Sequence, residues 1–391
     1  MNTTPAILLA LFIVGSGLLS WPGPLHAAEA SDPGEFDIPV VLPLNTEERA
    51  ELQRLIEHDT DAARYAEKLR ALAVPMLGTP ATPLEVIHYE GLVNTDPRRI
   101  ETVRSLKQMG DAAWLLRYWQ ATEDPAAEAT LRDWIAAWTS TYRFTGNDVN
   151  ENKLVPLLIG YIDLRDGFPA DQRDTADALF RQLGEHHARR ADEATHLNNR
   201  FAKHLRIAAL AGLAFDESAW LDAARAGVQR FVRESLRADG TSFDLEERDT
   251  LTYHGSALKP MIELSILFDR NALPEAEPLY FWRAETGASV AKSVDFVVPY
   301  ATGEKTREEW KNSKVALDRQ RAEAGLAQYQ PGLRYDPKQA TDLLDLAAYY
   351  RPDLTALVAQ LTEAADSQTR FPTWLTLNHA ALRQAREIPS R

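Results

Sequence analysis

The sequence predicts an all-α fold in which helical hairpins form an incomplete α/α toroid around a central cleft. Apolar residues recur with helical spacing along most of the chain from about residue 46, as in Leu131, Trp134 and Trp138. Strand-like alternation is nearly absent, and Val294–Val298 is a short exception. No sequence unit repeats at a fixed period, which disfavours a consensus solenoid. The alternative is an irregular helical bundle, which would lack one long cleft.

The N-terminus has the pattern of a signal peptide over residues 1–28. An apolar run at Ala6–Leu19 is followed by small residues up to Ala28, although Met1–Pro5 contains no lysine or arginine. The run is shorter than the roughly 20 residues that a membrane span needs. We therefore predict an exported protein, periplasmic or secreted, with no membrane contact after cleavage. An extended lead-in at 29–45 and a single domain at 46–391 are expected to follow.

Composition excludes several kinds of site. The chain has 391 residues, of which 45% are hydrophobic and 26% charged, as in a globular protein with a full core. It contains no cysteine, so disulfides, thiolate catalysis and cysteine-type zinc sites are excluded. The net charge of −14 argues against a nucleic-acid partner. We predict no metal and no cofactor, and we interpret His186 and His187, which lack zinc-site spacing, as part of a solvated helix face.

One polar stretch precedes the apolar helical run Leu205–Phe215. Asn198 and Asn199 lie at its start, where asparagine is a favoured N-cap, so a purely structural interpretation exists. In the functional interpretation, one amide together with Arg200 or His204 binds a substrate carboxylate and stabilises the enolate that forms beside it. His204 follows Arg200 by about one helical turn, so the two side chains can share a face.

A second polar stretch places Arg248 five residues before the pair Tyr253 and His254, which opens the next helix. A tyrosine packed at a helix start is the structural interpretation. The functional one is a phenol whose pKa is lowered by Arg248 and His254, so that it carries protons near neutral pH. Glu246 and Glu247 would oppose that effect if they faced the same way.

Two further segments have the polarity expected of loops beside a cleft. His88 and Tyr89 lie in a probable loop, Glu85–Gly91, where they either line a cleft or are ordinary loop residues. Gly303–Glu309 is strongly charged, and we interpret it as a mobile loop over a cleft.

Three of these motifs, in this order, resemble the alginate lyase superfamily of bacterial periplasmic polysaccharide lyases. The stretch from His88 to Gly91 looks like that family's Lys-Tyr-Glu-Gly, the stretch from Asn198 to Arg200 like its Asn-Asn-His, and Tyr253 with its neighbour like its Tyr-His. The likeness covers about residues 80 to 310. It implies an α/α toroid and a metal-independent β-elimination in which a tyrosine is both base and acid.

The resemblance also implies roles for individual residues and a class of substrate. The catalytic residues would be Tyr253, Asn199, His204 and Arg248, and the substrate-binding residues His88, Tyr89, Asn198, Arg200 and His254. The partner would be a linear acidic polysaccharide, either alginate as polymannuronate or glucuronan. His88 replaces the family's lysine, Arg200 replaces its histidine, and Arg248 is unusually close to Tyr253, so the preferred uronan stays open. His204 would take the role of the missing histidine.

Two other functions compete with the lyase. A glycoside hydrolase on a helical toroid would need two carboxylates about 5 to 10 Å apart, for which Asp148, Glu151, Glu246 and Glu247 are available. A non-catalytic polysaccharide-binding or assembly factor would keep the cleft without a working Tyr253.

Overall fold

The computed structural model describes residues 38–92, 95–271, 278–362 and 370–385. Most of these residues are helical and very few form strands, which confirms the predicted all-α class. The expected signal peptide, residues 1–28, lies outside the described residues, as does part of the expected lead-in at 29–45. No helix within the described ranges is both long and apolar enough to cross a membrane.

Short connections join many of the helices, whereas residues 302–315 and 324–340 form longer ones. The first eight are α1 (Thr46–His58), α2 (Thr60–Ala73), α3 (Pro97–Thr122), α4 (Pro125–Thr141), α5 (Asp148–Glu151), α6 (Val155–Leu164), α7 (Ala170–Asp192) and α8 (Asn199–Phe215). The next eight are α9 (Ser218–Glu234), α10 (Phe243–Arg248), α11 (Leu251–Arg270), α12 (Val290–Ala301), α13 (Ala316–Glu323), α14 (Thr341–Ala347), α15 (Thr355–Leu361) and α16 (Trp374–Ala385). Two short antiparallel strands, β1 (Glu308–Glu309) and β2 (Leu333–Arg334), form a small two-stranded sheet that the sequence did not predict.

The helices pack as hairpins of a toroid. Helices α3, α6, α8, α11 and α14 contact one another in that order, while α4 packs against α3 and α6, α9 against α8 and α11, and α12 against α11 and α14. Helix α1 packs against α3 and α16, and α16 against α14. The buried pair Glu48–Arg270 adds a tie between α1 and α11, with 2.9 Å between Arg270 Nε and Glu48 Oε1. The predicted α/α toroid is thus confirmed.

Local sequence explains where many helices begin. Asn45 and Glu48 form a reciprocal capping box at the start of α1, and Asp96 and Asp124 cap α3 and α4, each with a proline in the first turn. Helix α8 begins at Asn198, whose side chain accepts the backbone N–H groups of the first turn. Because such caps satisfy orphan donors locally, they can be identified in the sequence.

The strand-like segment Val294–Val298 is a wrong prediction, since these residues lie inside α12. Valine has strand propensity, but Val290, Val294, Val297 and Ala301 are all buried at helical spacing. Packing of that stripe against α11 and α14 outweighs the local preference.

The described end of the lead-in, residues 38–45, is extended and runs along α3. Leu42 and Leu44 are buried, and Gln120 on α3 donates to the carbonyl oxygen of Leu42 at 2.9 Å. Arg117, also on α3, donates to the carbonyl oxygen of Val40 at 3.1 Å. This segment therefore packs against α3 and contributes to the core.

Candidate active site

The corner between α10 and α11 brings Arg248 against Tyr253. Ser242 and Thr250 cap the two helices, and Asp249 between them adopts a left-handed conformation with φ of 54°. This reversal sets the Arg248 guanidinium carbon 3.3 Å from the centroid of the Tyr253 ring. A cation over an aromatic face is electrostatically favourable, so the predicted pairing of these two residues is present.

Arg248 contacts the ring of Tyr253 and not its hydroxyl group. Both of its hydrogen bonds go to the buried carboxylate of Asp318, one of them at 2.9 Å from Nε. Although burial works against the charge, these bonds raise the pKa of Arg248. Ser313 donates to the same carboxylate at 2.9 Å. The guanidinium is therefore held firmly, with its donors turned towards Asp318.

Side chains further along the chain complete the surroundings of Tyr253, and sequence reasoning missed them. Arg321 Nη1 lies 3.4 Å from the Tyr253 hydroxyl oxygen and donates to the Tyr329 hydroxyl at 2.8 Å. The Trp310 ring packs edge-on against Tyr253, with 5.9 Å between centroids, and lies 5.0 Å from Tyr329. Burial, followed by the nearby Tyr253, raises the pKa of Tyr329. The sequence signal that could have pointed to this segment was the presence of the aromatic residues Trp310 and Tyr329 among mainly polar ones.

At the start of α8, the two asparagines have different positions. Asn198 is the N-cap, and its side-chain oxygen accepts the N–H of Arg200 at 2.9 Å, as the structural interpretation expects. Asn199 is 7% exposed. Burial raises the pKa of Asp244 on α10 to about 7, while Arg248, the backbone of Asn199 and Lys203 work in the opposite direction. Asp244 thus lies near both the start of α8 and the corner that carries Tyr253.

Arg200 is occupied by protein carboxylates. Its Nε lies 3.0 Å from Asp148 Oδ2, and its Nη1 lies 3.0 Å from Glu90 Oε1. Asp148 is 3% exposed, and although burial opposes ionisation, Arg200 holds the pKa of that carboxyl below its usual range. Lys203 stands beside this group, and burial together with Lys153 lowers its pKa to about 8.

His204 is buried against His187 of α7, with 2.7 Å between the two Nδ1 atoms. The interpretation of His187 as part of a solvated face is wrong, because this imidazole has no exposed surface. Glu151 Oε2 lies 3.2 Å from His187 Nε2, and Glu151 also accepts the amides of Thr145 and Gly146. Although burial opposes it, these neighbours lower the pKa of Glu151.

An ionised Glu151 favours the His187 tautomer that carries its proton on Nε2. His187 Nδ1 then accepts from His204 Nδ1, which leaves Nε2 of His204 as an acceptor. Burial, followed by the nearby His187, lowers the pKa of His204 to about 3, so the imidazole is neutral at physiological pH.

The remaining predicted site residues differ in exposure. His88 is exposed, and its backbone N–H donates to Thr102. Two cations lie close to the Tyr89 ring. The ring centroid is 4.2 Å from the Arg99 guanidinium carbon and 4.5 Å from Lys153 Nζ.

His254 has no exposed surface, which does not fit its predicted contact with substrate. Its ring nitrogens contact Ser242 Oγ at 2.7 Å and the Ser293 carbonyl oxygen at 3.3 Å, and burial lowers its pKa to about 4. The side chain therefore holds α11 against α10 and α12.

Comparison with known proteins identifies the family of this chain. A family model described as Alginate lyase matches residues 51–307. The chain belongs to the Alginate lyase family. As a member of that family it is a polysaccharide lyase.

The fold is similar to that of a solved structure. An alginate lyase from Bacteroides ovatus superposes with a TM-score of 0.57 at 13% identity, covering 81% of this chain and 93% of that one. Alginate lyase A1-III, as an apo variant, gives a TM-score of 0.49 at 15% identity, covering 74% and 90%. A search of curated protein sequences finds no significant match.

The four carboxylates considered for the alternative glycoside hydrolase each contact a basic side chain. Asp148 and Glu151 have lowered pKa values and contact Arg200 and His187. The other two carboxylates, Glu246 and Glu247, pair with Arg237 at 2.8 Å and with Lys314 at 3.0 Å, respectively. The lowered pKa values of Asp148 and Glu151 disfavour the protonated carboxylic acid that glycoside hydrolysis requires.

Proposed function

We propose that this protein cleaves a linear polyuronate by β-elimination, with Tyr253 as the group that removes and returns the proton. The observation that carries the proposal is the phenol of Tyr253, which is partly exposed and stacked on Arg248, with its hydroxyl beside Arg321. The two guanidinium groups thus stand at the ring and at the oxygen of the group that would exchange the proton.

The elimination needs one proton carrier on one face of the sugar. In β-D-mannuronate and β-D-glucuronate the C5 proton and the C4 oxygen lie on the same face of the ring. Deprotonated Tyr253 takes the C5 proton, and the electron pair forms the C4–C5 double bond as the C4–O bond breaks. Tyr253 then gives the proton to the leaving oxygen. In guluronate, the C5 epimer, two groups on opposite faces would be needed.

Polymannuronate and glucuronan are the two candidate substrates, because their sugars differ only at C2, away from the eliminated proton. His88 and Arg200 replace a lysine and a histidine of the family's pattern and change the donors near the cleft. We propose that Arg200, Asn198 or Asn199, Tyr89 and His88 contact the polymer. We further propose export to the periplasm or medium, from the apolar run Ala6–Leu19.

A panel of polymannuronate, polyguluronate, glucuronan and hyaluronan tests the reaction and the substrate together. A lyase makes a 4,5-unsaturated end that absorbs in the near ultraviolet, a hydrolase makes only new reducing ends, and a binding protein makes neither. We expect turnover of polymannuronate or glucuronan. Fastest turnover of polyguluronate would contradict the single-tyrosine mechanism, and no turnover of any uronan would favour the binding protein.

The variant Tyr253→Phe tests the proton carrier. We expect it to abolish turnover and to bind the uronan nearly as well as the wild type, since only the hydroxyl is lost. Tyr118→Phe is a matched control, because the Tyr118 hydroxyl bonds Asp124 at the end of α3. Activity close to that of the wild type in Tyr253→Phe would exclude this role.

A further inference from the structure

Loss of the C5 proton transfers charge onto the adjacent carboxylate, so a lyase needs a cation or strong donor there. Of the arginines Arg200, Arg248 and Arg321, the first two are committed to protein carboxylates. Arg200 binds Asp148 and Glu90, and Arg248 directs both of its hydrogen bonds to Asp318. Neither can bind a substrate carboxylate strongly without giving up an existing partner.

Arg321 is different, because its side-chain hydrogen bonds within the described residues go to hydroxyl groups and not to carboxylates. It lies 3.4 Å from the Tyr253 oxygen and 2.8 Å from the Tyr329 oxygen, and no carboxylate in the described ranges forms an ion pair with it. The side chain is partly exposed. Its positive charge is therefore uncompensated at the atom that would exchange the proton.

We propose that Arg321 binds the carboxylate of the sugar whose C5 proton Tyr253 removes. This inference rests on the proposed β-elimination. C5 carries both the proton and the carboxyl group, so a cation beside the Tyr253 oxygen is also beside the carboxylate once the proton points at that oxygen. Arg321 stays protonated throughout, and its N–H groups stabilise the enolate until the C4–O bond breaks.

The surroundings hold Arg321 in place for this role. Its guanidinium carbon lies 4.8 Å from the centroid of the Tyr329 ring, and Trp310 packs behind that ring at 5.0 Å. A donor that is already oriented loses little entropy and needs little reorganisation when charge develops.

The segment that carries Arg321 is anchored on the corner between α10 and α11. Three backbone N–H groups make the connection. Those of Trp310 and Asn312 donate to the carbonyl oxygen and the carboxylate of Asp249, each at 2.9 Å. That of Lys314 donates to the Glu247 carbonyl oxygen at 2.8 Å. Arg321 lies beyond residues 51–307, to which the family model matches. Its role is thus inferred from geometry and not from the matched pattern.

The test compares Arg321→Ala, Arg321→Lys and Arg319→Ala on the uronan that the wild type degrades. Arg319 is an exposed cation on the same helix that contacts the Ser313 carbonyl oxygen, so it controls for loss of charge from α13. We expect kcat of Arg321→Ala to fall by about 10²–10³-fold, as for loss of one donor to a developing oxyanion. The kcat of Arg321→Lys should lie between those of Arg321→Ala and the wild type, and the kcat of Arg319→Ala should stay near that of the wild type.

Chemical rescue separates catalysis from structure. Guanidinium chloride at a non-denaturing concentration should raise the turnover of Arg321→Ala, whereas sodium chloride at the same ionic strength should not. Wild-type-like kcat in Arg321→Ala would overturn the inference, as would a loss that neither lysine nor guanidinium restores. A wild-type protein that produces no unsaturated ends would overturn the proposed function and this inference with it.

Discussion

Arg200 and Asp148 form the contact in which this chain departs most clearly from the family's Asn-Asn-His pattern. Asp148 is 3% exposed, whereas the Arg200 side chain is 48% exposed. Removal of the arginine leaves a nearly buried carboxylate without its principal partner. Loss of one member of a buried pair typically costs about 3–5 kcal/mol, and the exposure of Arg200 reduces the expected cost to about 2–3 kcal/mol.

We therefore predict that Arg200→Ala lowers the free energy of unfolding, measured by urea denaturation, by about 2–3 kcal/mol. Asp148→Asn combined with Arg200→Ala should recover most of that loss, because the unpaired charge is then absent. If Arg200→Ala unfolds like the wild type but has a raised KM, the ion pair is not structurally important and Arg200 acts chiefly on the substrate.

At the scale of helices, close packing of α7, α8 and α9 depends on glycine. A Cβ atom on Gly184 of α7 would lie 2.5 Å from Trp220 Cζ3 and 2.6 Å from the Cβ of Ala211. A Cβ atom on Gly255 of α11 would meet no atom within 4 Å. The two glycines are both helical, so they form a matched pair that differs in available space.

We predict that Gly184→Ala destabilises the protein by about 1–3 kcal/mol through overpacking. Gly255→Ala should be neutral or stabilising by up to about 1 kcal/mol, because alanine is the better helix former. Differential scanning calorimetry measures both. Equal melting temperatures for Gly184→Ala and the wild type would show that the helices separate at little cost.

At the scale of the whole molecule, several carboxyl groups in the described ranges have raised pKa values, and three of them can be followed by the pH at which they titrate. Burial is the main cause for Asp163, Asp244 and Asp345, and it raises each pKa to about 7. A group whose folded-state pKa exceeds its unfolded value contributes stability that is fully present below the unfolded pKa, near 4. That contribution is lost as the pH rises through about 7.

Asp345 tests this dependence away from the candidate active site. It lies on α14, and its carboxylate accepts a hydrogen bond from the Thr373 hydroxyl at 2.8 Å. We predict that the melting temperature of Asp345→Asn relative to the wild type is higher at pH 8.5 than at pH 5, by roughly a few degrees. The reason is that the variant has no charge to bury at the higher pH. A difference independent of pH would show that Asp345 has an ordinary pKa.

The sequence by itself determined the helical class and the start of α8. Helical periodicity and a cap such as Asn198 act within a few residues, so they can be read without knowledge of the fold. The order of the motifs also led to the family, and it placed Arg248 next to Tyr253 because only a short turn separates them.

Only the tertiary structure decided which side chains meet across helices. His187 lies inside the protein because α7 packs on α8 and sets it against His204, and Val294 is helical because its stripe is buried. Arg321 reaches Tyr253 from 68 positions along the chain. Such contacts depend on how distant helices pack, and a local pattern carries no information about the distance between elements.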